Sequence, residues 1–112
     1  MLRGIVTARS LMSITSASIP FTESLIANAP QAPGVFALWA GGGIVYYGRA
    51  MTIRIALDEQ LRARMLSGER VSGCSWEVAA DPEQRQRELM FGYLAAHQRM
   101  PLWNDPQRLP TC

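Results

Sequence analysis

The chain has 112 residues, 48% of them hydrophobic, and a formal net charge of only +2. That length allows one domain with one modest core, and so weak a charge does not by itself demand a nucleic-acid partner. No apolar run approaches the ~18 residues that cross a bilayer, so no membrane span is expected. All 11 basic residues are Arg. Arg forks suit phosphate recognition, and GC-rich coding bias produces the same composition. Cys74 and Cys112 lack metal-ligand spacing. They read as free thiols of a reducing cytosol, which makes a cytoplasmic location the expectation.

In chain order, residues 1–32 read as an N-terminal extension. The first stretch carries Arg3 and Arg9 and no acid, a faint transit-peptide pattern, with a true start at Met12 as the alternative. Residues 13–18 are polar and irregular. Residues 21–28 predict a short helix capped by Thr22, with Leu25 and Ile26 turned inward. Pro30 and Pro33 close it, and residues 33–112 form the main domain.

Residues 35–39 and 44–47 are rich in β-branched and aromatic side chains and flank Gly41–Gly43. They predict a β-hairpin. Gly48 ends its second strand. Ile53, Leu57, Leu61 and Met65 then recur every four residues, which predicts an amphipathic helix with Thr52 as N-cap and Gly68 as its stop. Asp58 and Arg62 are spaced for an exposed ion pair on another face. Residues 72–79 alternate, with Cys74, Trp76 and Val78 inward, and predict a half-buried third strand. Asp81-Pro82-Glu83-Gln84 is a helix start: Asp81 caps, Pro82 takes the first helical position and Gln84 reaches back. That helix runs to about His97, with Leu89, Met90, Tyr93, Leu94 and His97 on its apolar side. Pro101 and Pro106 bound an irregular tail. The expected fold is α/β (α+β): a small three-stranded, mainly antiparallel sheet flanked by helices.

Residues 33–50, PGVFALWAGGGIVYYGRA, resemble the GIY-YIG nuclease domain. Gly34-Val35-Phe36 stands where that family has Gly-Ile-Tyr, and Tyr46-Tyr47-Gly48 where it has Tyr-Ile-Gly. Further on, Glu88 and Pro101-Leu102-Trp103-Asn104 look like the family's later Glu and its Pro-x-x-Asn ending. The resemblance covers residues 33–104. It implies hydrolysis of phosphodiester bonds in DNA. It also implies one Mg²⁺ or Mn²⁺ on Glu88, water positioned or activated by Tyr46, a site ordered by Asn104, and an Arg of the first long helix facing the phosphate.

Two positions depart from the pattern. Phe36 has no hydroxyl to donate or accept, and Ala56 stands where the family keeps its Arg. Arg49, Arg54 and Arg64 are the remaining candidates for substrate binding. Arg54 lies on a different side of the helix from Ala56, and Arg49 and Arg64 need long reach. Gly92, one turn beyond Glu88, leaves space for a metal, water or phosphate, or lets the helix lie close on the sheet.

Tyr46 and Tyr47 alternate across the sheet, so one of them at most faces a site. His97 has no Cys or acid spaced for a triad and reads as helix packing. No P-loop, dinucleotide fingerprint, zinc knuckle or serine-hydrolase elbow is present. Two functions follow: a weakened, divergent DNA endonuclease, or a non-catalytic nucleic-acid or protein binding module on the same fold. An unrelated small α/β protein is a third reading. The Ala56 side of the helix discriminates: a guanidinium beside Tyr46 and Glu88 favours an enzyme, and an apolar or acidic surface favours a binding module. None of these patterns fixes an oligomeric state.

Overall fold

The computed structural model describes residues 18–68 and 70–104. The readings placed on Arg3, Arg9, Met12, Pro106 and Cys112 lie outside the described residues. Eight short elements follow one another: β1 (Ile19–Pro20), α1 (Glu23–Ile26), β2 (Gly34–Ala40), β3 (Gly43–Ala50), α2 (Ile53–Ser67), β4 (Gly73–Val78), α3 (Pro82–His97) and a 3-10 turn, Leu102–Asn104. The strands form one four-stranded antiparallel sheet in the order β1-β4-β2-β3. The fold is therefore α+β, with one strand more than the sequence predicts. The extra strand is β1, which covers the outer edge of β4.

Strands β2 and β3 form the predicted hairpin, joined through Gly41 and Gly42. Both have positive φ, +60° and +83°, the backbone that a tight two-residue turn requires and that glycine adopts without strain. A register shift opposite Leu38 and Trp39 leaves Val45 as an extra residue on β3. The bulge changes the alternation. Val45 and Tyr46 both pack toward α2, while Ile44 and Tyr47 pack toward α3.

The sheet thus carries a core on each face. One holds Phe36, Leu38 and Cys74 under Ile26 of α1 and Ile53 and Leu57 of α2. The other holds Val35, Ala37 and Tyr47 under Leu89 of α3. Strand β2 is buried on both faces from Gly34 to Leu38. Full burial of such a side chain is worth about 1.5–3 kcal/mol, so β2 is the strand that the rest of the fold closes over.

Helix α1 is shorter than predicted, but Thr22 caps it by accepting from Leu25 N–H at 3.4 Å. Helix α2 starts after Thr52, whose side chain makes no capping bond. Instead the N–H groups of Ile53 and Arg54 donate to the carbonyls of Ala32 and Pro30. Gly68 ends α2 in the left-handed conformation. Asp81 caps α3 by accepting from Gln84 N–H at 3.2 Å. The Gln84 amide does not reach back, and points to Glu88 instead.

Three apolar residues assigned inward are exposed: Met65 (73%), Val78 (56%) and Leu94 (40%). Each lies near the end of its element, and Leu94 sits with Phe91 and Met100 rather than with the sheet-facing residues of α3. Strand β4 is partly buried as expected, but without the expected alternation: Gly73–Ser75 are buried, Trp76 and Glu77 half-buried and Val78 exposed. Cys74 and Ser75 are both buried, with the Trp39 indole donating to Ser75 Oγ and Arg85 of α3 reaching Glu77. Among the described residues, no helix is long and apolar enough to cross a membrane.

Candidate functional site

The hairpin end near Gly48 is packed tightly. A side-chain carbon at Gly48 would overlap the tip of the Phe36 ring, so with that ring in place the position across from Phe36, its partner in register, suits glycine. The Tyr46 ring lies 6.0 Å from the Phe36 ring, tilted by 49°. Tyr46, Ala56 and Trp103 are half-buried against the same cluster. Ala56 thus puts an apolar side chain against the cluster that Tyr46 joins, with Gln60 and Arg64 one and two turns further along that side of α2.

The three arginines proposed for substrate have separate engagements. The Arg64 guanidinium lies 4.4 Å from the centroid of the Trp103 ring, and its Nη2 donates to Gln60 Oε1 at 2.8 Å. Arg54 Nη1 donates to the Ala27 carbonyl at 3.2 Å and ties α2 to α1. Arg49 is exposed beside Glu83 at 3.6 Å, a pair weakened by solvent.

Asn104 binds the free edge of β3. Its Oδ1 accepts from Tyr47 N–H at 2.7 Å, and its Nδ2 donates to the Tyr47 carbonyl at 3.0 Å. The Gln86 amide donates to the same carbonyl at 2.9 Å. Edge strands leave such groups unpaired, and here two side chains replace the missing strand. Trp103, next to Asn104, anchors the 3-10 turn to the core. The Tyr47 phenol is pushed up to about 12 by burial and by Tyr93, with Arg85 opposing. It is a neutral hydroxyl at physiological pH.

Glu88 lies elsewhere. The Arg85 guanidinium donates to both oxygens of Glu77, through Nε at 2.6 Å and Nη2 at 3.0 Å, and to Glu88 Oε1 through Nη1 at 3.2 Å. The Gln84 amide faces Glu88 Oε2 at 3.4 Å. Arg85 is 8% exposed. Burial alone would lower its pKa, but the bonds from Glu77 and Glu88 hold it above the usual value. Glu77 pairs in register with Val35, on the α3 face, whereas Tyr46 pairs with Leu38, on the α2 face. The structure therefore brings Asn104 to Tyr47 and Arg85 to Glu88, and it does not bring Glu88 to Tyr46.

Glu88 is the residue that the resemblance would have hold a divalent cation, and its donors leave it little freedom to do so. Both Glu88 oxygens face donors, and Glu77 spends its carboxylate on the same guanidinium. Among the described residues no group of three or more His, Cys, Asp or Glu side chains gathers to hold a metal. An ion at Glu88 would meet the buried charge of Arg85 in its own coordination shell. As arranged, these residues do not fit such an ion.

Sequence reasoning passed over Gln86 and gave Arg85 no role. The i, i+3 spacing of Arg85 and Glu88 was a signal that could have found that pair. Nothing in the sequence marks Gln86. Gly92 borders a cavity whose lining does not include Glu88. Trp39, Tyr47, Tyr93 and His97 line it as well. Compared with known proteins, the chain matches no family model and no curated protein.

Proposed function

We propose that the chain is a GIY-YIG-like domain that binds nucleic acid in the cytoplasm without cutting it. The observation that carries this reading is the Arg85 clamp on Glu88, on the sheet face opposite Tyr46. Phosphodiester hydrolysis needs an activated water, a charge-stabilising group and help for the leaving oxygen at one point. Here the carboxylate is engaged, Phe36 lacks a hydroxyl, and Ala56 adds no charge beside Tyr46. The glycine-closed hairpin and the bonds from Asn104 to Tyr47 are compatible with such a scaffold.

The resemblance itself supports a nucleic-acid partner, and so does a cation set made only of Arg. Arg49, Arg62 and Arg87 are exposed on the surface. Their pairs with Glu83 and Asp58 are ones that a phosphate can displace. The test is a fluorescence-anisotropy titration of labelled DNA at several salt concentrations. Binding that weakens steadily with salt, with the DNA recovered intact in Mg²⁺ and Mn²⁺, supports the reading. Absence of salt-sensitive binding overturns it. Cleavage that disappears in Glu88→Ala would return the domain to the DNA endonucleases.

A further inference from the structure

Gly92 lies on the stripe of α3 that faces the sheet, with Leu89 and Tyr93 as its neighbours there. A glycine inside a helix weakens it relative to alanine, and its effect here is to leave a gap. Gly42 and Gly43 of the hairpin border the same gap. The result is a cavity of about 350 Å³.

The walls of the cavity are aromatic. Trp39 comes from β2, and Tyr93 and His97 come from α3. The Tyr93 and His97 ring centroids are 4.2 Å apart with the rings tilted by 36°, so the two rings lie against each other and each keeps one face for a further ring. Trp39 is held in place by Nε1 donating to Ser75 Oγ at 3.2 Å. His97 is exposed and Trp39 and Tyr93 are half-buried, so the cavity opens to solvent. No Asp or Glu lines it, and nothing there favours a cation beyond the rings themselves.

We infer that this cavity receives an unpaired base of a single-stranded nucleic acid, stacked on the aromatic walls. The inference rests on the nucleic-acid reading above and adds a strand state to it. Every base has a π face, so such stacking holds a strand without choosing its sequence. A base inside a duplex is already stacked and cannot enter. Tyr47 also lines the cavity, and its phenol keeps its proton at physiological pH. Arg99, exposed two residues after His97, supplies a cation near that end of α3.

The test titrates a short fluorescein-labelled oligothymidylate, and a duplex of the same length, with the wild-type chain, Gly92→Leu and His97→Ala. Leucine fills the cavity from a helix that it favours, so the melting temperature is expected to hold or rise. Gly92→Leu should weaken the single strand roughly tenfold and His97→Ala about threefold, with the duplex unchanged. His97 is exposed, so its variant reports even if the leucine disturbs packing. Unchanged single-strand binding in both variants, or a wild-type preference for the duplex, overturns the inference and leaves the nucleic-acid reading standing. Displacement of the oligonucleotide by tetramethylammonium would make the cavity a cation cage and also overturn it. Binding of neither nucleic acid overturns both.

Discussion

The Asn104 side chain satisfies the backbone of Tyr47 at both its N–H and its carbonyl, 57 residues away in sequence. It does for the β3 edge what a neighbouring strand would do. Replacing Asn104 with Ala leaves the Tyr47 N–H without its partner, while Gln86 still serves the carbonyl. The expected loss is about 1–3 kcal/mol of stability, the cost of an unsatisfied backbone donor. Urea unfolding monitored by tryptophan fluorescence measures it. A loss below a few tenths would mean that water serves that edge equally well.

Arg85 joins two carboxylates in a nearly closed environment. Arg85→Met removes the cation and leaves Glu77, itself largely buried, without a charge partner. We expect a loss of about 3–5 kcal/mol. The double variant with Glu77→Gln should recover part of it, because no uncompensated charge then remains. Equal stability of the single and double variants in denaturant melts would contradict the clamp.

A side-chain carbon at Gly48 would overlap the Phe36 ring across the hairpin. Gly48→Ala forces the Phe36 ring aside and should destabilise by about 1–3 kcal/mol, the usual cost of overpacking. Phe36→Leu in the same chain frees space and should reduce that penalty. A double-mutant cycle measures the coupling, and strictly additive effects would rule out the contact.

The alkaline limb of stability has a definite sign. Burial raises the Cys74 thiol from 9.0 to about 11, and Tyr47 is raised from 10.0 to about 12 by burial and by Tyr93, with Arg85 opposing. In both cases the folded state holds its proton more tightly than the unfolded chain. Their stabilising contribution is complete below pH 9 and is lost as pH climbs toward 12. Cys74→Ala should flatten the fall between pH 9 and 11, although it costs packing at every pH. Urea midpoints across that range test this, and parallel curves for the two proteins would contradict it.

Much of the fold was legible because local chemistry and tertiary need agree. The glycines of the hairpin turn, Gly68 after α2, and Asp81-Pro82 before α3 each mark a backbone event that few other residues permit. What failed depends on where partners end. The four-residue stripe on α2 points Met65 at the core side, but nothing in a periodicity says that the sheet stops before it. Strand β1 is two residues long, too short to show any alternation.

Ser75 and Glu77 look like a solvent face because they are polar. They are covered because Trp39 and Arg85 supply their hydrogen bonds across the fold. The candidate site was less legible for the same reason. Tyr46, Glu88 and Asn104 were assigned to one site by resemblance. Which face of the sheet each meets depends on the bulge at Val45 and on the rotation of α3, and neither leaves a mark in a single sequence.

The most direct test of the account is the rate at which the protein nicks supercoiled plasmid in Mn²⁺, compared between the wild-type chain and Glu88→Ala. The account predicts no nicking above background by either protein, at concentrations where binding is saturated. Nicking by the wild-type chain that Glu88→Ala abolishes would contradict it, because Glu88 would then have left Arg85 to do chemistry.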